Sequence, residues 1–338
     1  MDIQIVAAPT TEPAFIGRPA KAADPAPVRI ASVDEYAALF GRSAPGAAYG
    51  LWDAVCLLFE NGGENLWVAP VESDDLPGYL EALGRIEGLG EVVTLLVAPD
   101  ALFLPRDDYY ALARAMIAQA ARLGDRFAIV DVHGGGDPAS WTGPAALALV
   151  ADFRAGIPPL AHDGASYGAA YFPWLVPAWE GPGAVPPAAA LAGIYATTDL
   201  NEGVWDPPAN LPLIGITDVT VWLDDGAHQA LAVSAADGLS VNAIRAFPGQ
   251  SVLVWGARTL EGNSQDYRYV HVRRTLIFIA QSVKEGLALF ALRPNSAPAW
   301  AEAKAMVEDF LTGLWKQGAL AGASPTMPSP CAAGSARR

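Results

Sequence analysis

The 338-residue sequence predicts an α/β fold, a parallel sheet with helices on both faces. Three observations carry that expectation. Between residues 50 and 132 the order is helix, strand, helix, strand, helix, strand. The strand segments NLWVAPV, EVVTLLVAPD and RFAIVDV are continuous apolar runs rather than alternating ones, as strands buried on both faces require. Hydrophobic residues make up 52% of the chain and charged residues 17%, enough apolar material for a sizeable core.

Residues 1–27 are rich in Pro and Ala, lack helical periodicity, and read as an extended arm. Ser32–Gly41 reads as a short helix, with Ser32 as N-cap, Glu35 completing a capping box and Gly41 closing the last turn. In Leu51–Gly63, apolar residues at 51, 54, 55, 58 and 59 give helical spacing, and Asn61-Gly62-Gly63 stops it. Residues 76–88 and Tyr109–Leu123 suit helices. The region 158–212 is dense in Pro and Gly and reads as long ordered loops around a short helix over AALAGIYA. After Asp218 the sequence suggests short strands and hairpins. His271–Leu292 reads as a long helix followed by a strand, and Pro298–Leu320 as a second long amphipathic helix.

Charge bounds the function. The net charge of −15 argues against a nucleic-acid partner. It is unevenly placed: residues 1–240 carry 10 basic and 30 acidic side chains, whereas residues 241–316 carry 9 and 6. An acidic body with a mildly basic C-terminal segment suits head-to-tail packing of copies, or simply a solvated acidic surface. No run of eighteen apolar residues predicts a membrane span, and the N-terminus lacks the pattern of a secretory signal. Cys56, in an apolar run, reads as a buried free thiol, and two cysteines are too few for a disulfide framework.

Candidate chemistry is sparse. His133, His162, His228 and His271 have no Cys, Glu or His at ligand spacing, so neither a metal nor another cofactor is expected. Asp131 and His133 mark a strand end, are expected on opposite faces, and so do not read as a shared site; Asp131 is expected to cap loop amides. No serine reads as a nucleophile in a tight turn. Gly134–Gly136 is not followed by the Lys-Ser/Thr of a phosphate loop. Trp67, Trp174, Trp179, Trp205, Trp222, Trp255 and Trp315 are spread through the chain and suit core or interface packing. Arg245, Arg258, Arg268, Arg273 and Arg274 could meet carboxylates of a neighbouring subunit, or form ordinary intrachain pairs.

Longer strings carry a resemblance. VNAIRAFPGQSVLVWGARTL, YRYVHVRRTLIFIAQSV and ALFALRPNSAPAWAEAKAMVEDFLTGLWKQGALAG resemble the C-terminal domain of the contractile tail sheath family of phage tails, R-type bacteriocins and contractile injection systems. Upstream, PAFIG, LWDAVCLLFENGGENLWVAPV, LLVAPDA, DRFAIVDV, YGAAYFPWLVP and GIYATTDLNEGVWDPPAN follow that family's order.

The resemblance implies a subtilisin-like α/β core without a catalytic triad at 28–217, and an α+β C-terminal sheath domain at 218–322. It implies a non-enzymatic homo-oligomer, stacked as rings or a helix around an inner tube protein and capped by baseplate and terminator proteins. No cofactor, nucleic acid or membrane is implied. Assembly is expected in the bacterial cytoplasm, as part of a phage tail or phage-tail-like particle. Arg245, Arg258, Arg268, Arg273, Arg274 and Trp255 are the expected subunit or tube interface. Residues 323–338 depart from the family pattern and read as an aberrant, disordered tail, translatable in another frame into a sheath-like continuation. The shortened ends also leave open a sheath-derived cap or a non-assembling paralogue.

Overall fold

The computed structural model describes residues 4–322 except 22, 45–47, 158–159, 161–163, 182, 233–237 and 289. The predicted tail at 323–338 and His162 therefore lie outside the described residues.

Pro13–Gly17 (β1) is a five-residue strand with every residue buried. It is followed by Val28–Ile30 (β2), Val33–Phe40 (α1), Leu51–Glu60 (α2), Leu66–Pro70 (β3), Leu76–Glu87 (α3) and Leu95–Val97 (β4). Arg106–Leu123 (α4), Phe127–Asp131 (β5), Gly143–Gly156 (α5), Gly168–Phe172 (β6), Leu175–Pro177 (β7) and Ala188–Asn201 (α6) come next. The chain continues with Ile216–Val219 (β8), Asp225–Ala232 (α7), Val241–Arg245 (β9), Leu253–Val254 (β10), Val270–Ala288 (α8) and Ala297–Lys316 (α9).

Eight strands form one sheet in the order β10-β9-β6-β5-β4-β1-β3-β2. The five inner pairings are parallel, and only the edge strands β2 and β10 run antiparallel to their neighbours. Strand alternation then sorts the apolar side chains onto two faces. Ala14, Ile16, Ala128 and Val130 pack with α3, α4, α5 and α7. Phe15, Phe127 and Ile129 pack with α1, α2 and α6. This three-layer arrangement is why the strand segments read as unbroken apolar runs.

Local signals are realised closely. Ser32 Oγ accepts the Glu35 amide at 3.1 Å, and the Glu35 carboxylate accepts the Ala31 amide at 2.8 Å. Gly41 ends α1 with φ 81°. Asp75 caps α3 by accepting from the Gly78 amide at 3.0 Å.

Four expectations are corrected. Residues 13–17, read as part of an arm, form a strand inside the sheet, flanked by β3 and β4. The short helix over AALAGIYA extends to fourteen residues. After Asp218 the chain forms the helix α7 instead of a second hairpin. Among the described residues no strand follows α8; the chain turns directly into α9. The anticipated boundary at 217/218 does not coincide with an edge of the sheet, because β9 beyond it pairs with β6.

Candidate assembly interface

An open parallel sheet binds ligands where successive connections leave to opposite faces, at the C-terminal ends of the strands. Here that point lies beside β1. The link from β1 to β3 carries α1 and α2 on one face, and the link from β3 to β4 carries α3 on the other. The crevice is filled by the chain itself. Asp100, just after β4, accepts the Arg18 amide at 2.6 Å and the Tyr79 hydroxyl at 2.9 Å. A Cβ at Gly17 would stand 2.8 Å from its carboxylate. Burial raises the Asp100 carboxyl to about 6.

Asp131 ends β5 and caps a helix. Its carboxyl oxygen accepts the amide of Ala188, the first residue of α6, at 2.8 Å, so it caps an amide as expected, but at a helix start and not in a loop. Burial pushes it up to about 8, so at neutral pH the carboxyl carries its proton. His133 lies on the other side, with Nε2 3.1 Å from the Leu104 carbonyl and its ring near Tyr109 and Tyr110. The two do part, but not through alternation, which puts residues two apart on one face. The strand ends at Asp131 and the turn carries His133 across. Two of the three glycines serve Trp174: a Cβ at Gly135 or Gly136 would lie within 2.4 or 2.5 Å of its indole, whereas Gly134 faces Leu149 with φ 82°.

One string was overlooked in the sequence. Gly164–Gly168 (GASYG) has the Gly-x-Ser-x-Gly spacing of a hydrolase elbow. Such an elbow follows a strand and exposes its serine. Here the turn precedes β6, and Ser166 is fully buried with its hydroxyl accepting from Arg273 Nε at 2.8 Å. Among the described residues no group of three His, Cys, Asp or Glu is placed to hold a metal.

The six expected interface residues fall into three settings. Arg273 and Arg274, in the second turn of α8, are buried. Arg273 lies between the rings of Tyr167 and Tyr267, at 4.3 and 3.9 Å. Arg274 grips Asp199 through two bonds of 2.8 and 2.6 Å and donates to the Thr10 carbonyl at 2.9 Å. Arg258 and Arg268 brace their own loop through the Gly262 and Ser264 carbonyls. Each of these four guanidinium groups has a partner within the chain. Arg245 and Trp255 sit at the β9–β10 edge. Arg245 pairs with Asp225 at 3.1 Å and covers Phe247, whose ring meets Trp255 edge-on at 4.8 Å. Trp255 keeps 37% of its surface exposed. Sequence reading missed Leu292 and Trp300, 97% and 61% exposed around the start of α9.

Neither a protein-family model nor a curated protein matches the chain. Solved structures do. The helical sheath of the anti-feeding prophage in its contracted state is 30% identical, with a TM-score of 0.74 over 95% of this chain and 82% of that one. The chain belongs to the contractile tail sheath family. A chain of the anti-feeding prophage baseplate matches at 28% identity and TM-score 0.76, covering 96% of this chain and 83% of that one. The sheath tail protein of Listeria innocua shares the fold at 12% identity, with TM-score 0.61 over 96% of this chain and 88% of that one.

Proposed function

We propose that the chain is the structural subunit of a contractile tail sheath, which surrounds an inner tube and contracts to drive it through a target envelope. The observation that carries this reading is the match to a contracted sheath over nearly the whole chain. The filled crevice at Asp100 and the buried Ser166 support a subunit without enzymatic activity. We further propose a subtilisin-like organisation for the core at 28–217, with 218–322 as the tube-facing part. The parallel sheet with helices on both faces supports the first. The partners are further copies of the chain, an inner tube protein, and baseplate and terminator proteins, assembled in a bacterial cytoplasm. Among the described residues no helix is long and apolar enough to cross a membrane. Arg245 and Trp255, with Leu292 and Trp300, are the groups proposed to meet neighbours.

Negative-stain electron microscopy of the purified chain tests the reading. Striated tubes or stacked rings are expected. Monodisperse particles that also fail to assemble on a co-expressed tube would overturn it.

A further inference from the structure

α8 meets the rest of the chain along seven buried residues, of which only Val270 and Phe278 are apolar. The others make directional contacts. Arg273 binds Ser166 and Tyr167, and Arg274 binds Asp199 and Thr10. Gln281 Nε2 donates to the Gly124 carbonyl at 3.2 Å. Its Oε1 has no hydrogen-bond partner among the described residues, and the residue borders a cavity of about 20 Å³ at this seam. Further along, Lys284 pairs with Glu91 on the surface.

The N-terminal segment runs across the same helix. Ala8 donates its amide to Ser282 Oγ at 2.9 Å, and Ile5 lies so close to Gly286 that a Cβ there would come within 2.7 Å of it. A few residues on, the segment is tied to the start of β4. Thr94 Oγ1 donates to the Thr10 carbonyl and accepts the Glu12 amide, each at 2.8 Å. The segment thus bridges helix and sheet. α9 rests on α8 through Phe278 and Phe310, with ring centroids 6.1 Å apart.

Opening a polar seam differs physically from opening an apolar one. Separated guanidinium and carboxylate groups regain the hydration they lost on burial, whereas separated apolar surfaces gain nothing from water. The seam is also geometrically exacting, because paired groups left half-open are costly. It therefore opens as a whole or not at all.

We propose that α8 and α9 form one unit that opens as a body from the sheet and from the N-terminal segment tied to it, while the sheet stays folded, latched by Arg273, Arg274 and Ser282. The inference does not depend on the sheath reading. Native-state hydrogen exchange on the full chain tests it. Peptides from 270–288 should exchange at least about tenfold faster than those from 127–131 and 168–172. Arg274→Ala and Ser282→Ala should accelerate the α8 peptides further, whereas Ile16→Val, in the sheet core away from α8, should accelerate the sheet peptides and leave the α8 peptides unchanged. Ser282→Ala, which removes only the strap bond and an intrahelical one, keeps the test decisive should Arg274→Ala not fold. The proposal fails if α8 is as protected as the sheet. It fails equally if Ile16→Val speeds helix and sheet in step, or if fast α8 exchange responds to neither α8 variant.

Discussion

The sheet and the α8 seam bury side chains in opposite ways. In β1 and β5 nearly every buried group is apolar, and neighbours meet by filling space. Along α8 most buried groups are polar, and neighbours meet by pairing. The first kind of contact tolerates substitutions that keep volume and depends on total area. The second gains little net free energy, yet fails sharply when one partner goes. The difference teaches where the molecule is rigid by bulk and where it is held by a few named atoms.

The largest expected effect breaks the apolar side. Phe15, fully buried at the centre of the sheet, should cost about 3–5 kcal/mol on substitution by Ala, read as a lower denaturation midpoint at unchanged slope. On the polar side, Arg274→Ala leaves Asp199 buried without its cation and should cost about 3 kcal/mol. Here the two regions diverge: replacing Arg274 and Asp199 together by Met and Leu should recover most of that loss. A double-mutant cycle by chemical denaturation measures it, and simple additivity would contradict the polar account.

Titration sharpens the same contrast inside the sheet. Asp131 and Asp100 hold protons more tightly folded than unfolded. Their contribution to stability is thus full below the ordinary carboxylate range near pH 4. It is lost as pH rises through about 6 for Asp100 and about 8 for Asp131. Asp131→Asn keeps an oxygen for the Ala188 amide and removes the titration. It should reduce the fall in stability between pH 5 and 8 by up to about 1.4 kcal/mol per pH unit, measured by denaturation across that range. The smallest effect belongs to packing at the sheet edge. Gly135→Ala crowds Trp174 and should cost about 1–3 kcal/mol, visible as a lower melting temperature with a shift in tryptophan fluorescence.

Much of the sheet was legible because burial on both faces writes itself as apolar runs bounded by turn residues. β1 was not: five residues between prolines carry no periodicity, and only the pairing with β3 and β4 reveals them. α7 was hidden for a related reason, since eight residues give barely two turns after a β-branched run. Asp131 could be assigned to capping from its position at a strand end. The seam could not be read at all. Arg274 and Asp199 lie 75 residues apart, and Arg274 and Thr10 lie 264 apart. Consecutive arginines normally suggest a solvated face. Nothing local signals that Tyr167, Tyr195 and Tyr267 supply the ring faces over which they stack. The exposed Trp300 was present in the sequence, but it sat in a helix whose other apolar residues looked like ordinary core.

The chain is a sheath subunit, and we propose that α8 and α9 are the part of it that faces the tube. A helical reconstruction of assembled particles by cryo-electron microscopy tests it most directly. Tubes are expected with α8 and α9 lining the lumen and Trp255 or Trp300 within contact distance of another chain. A lumen lined by the sheet body, with both tryptophans facing open solvent, would contradict it.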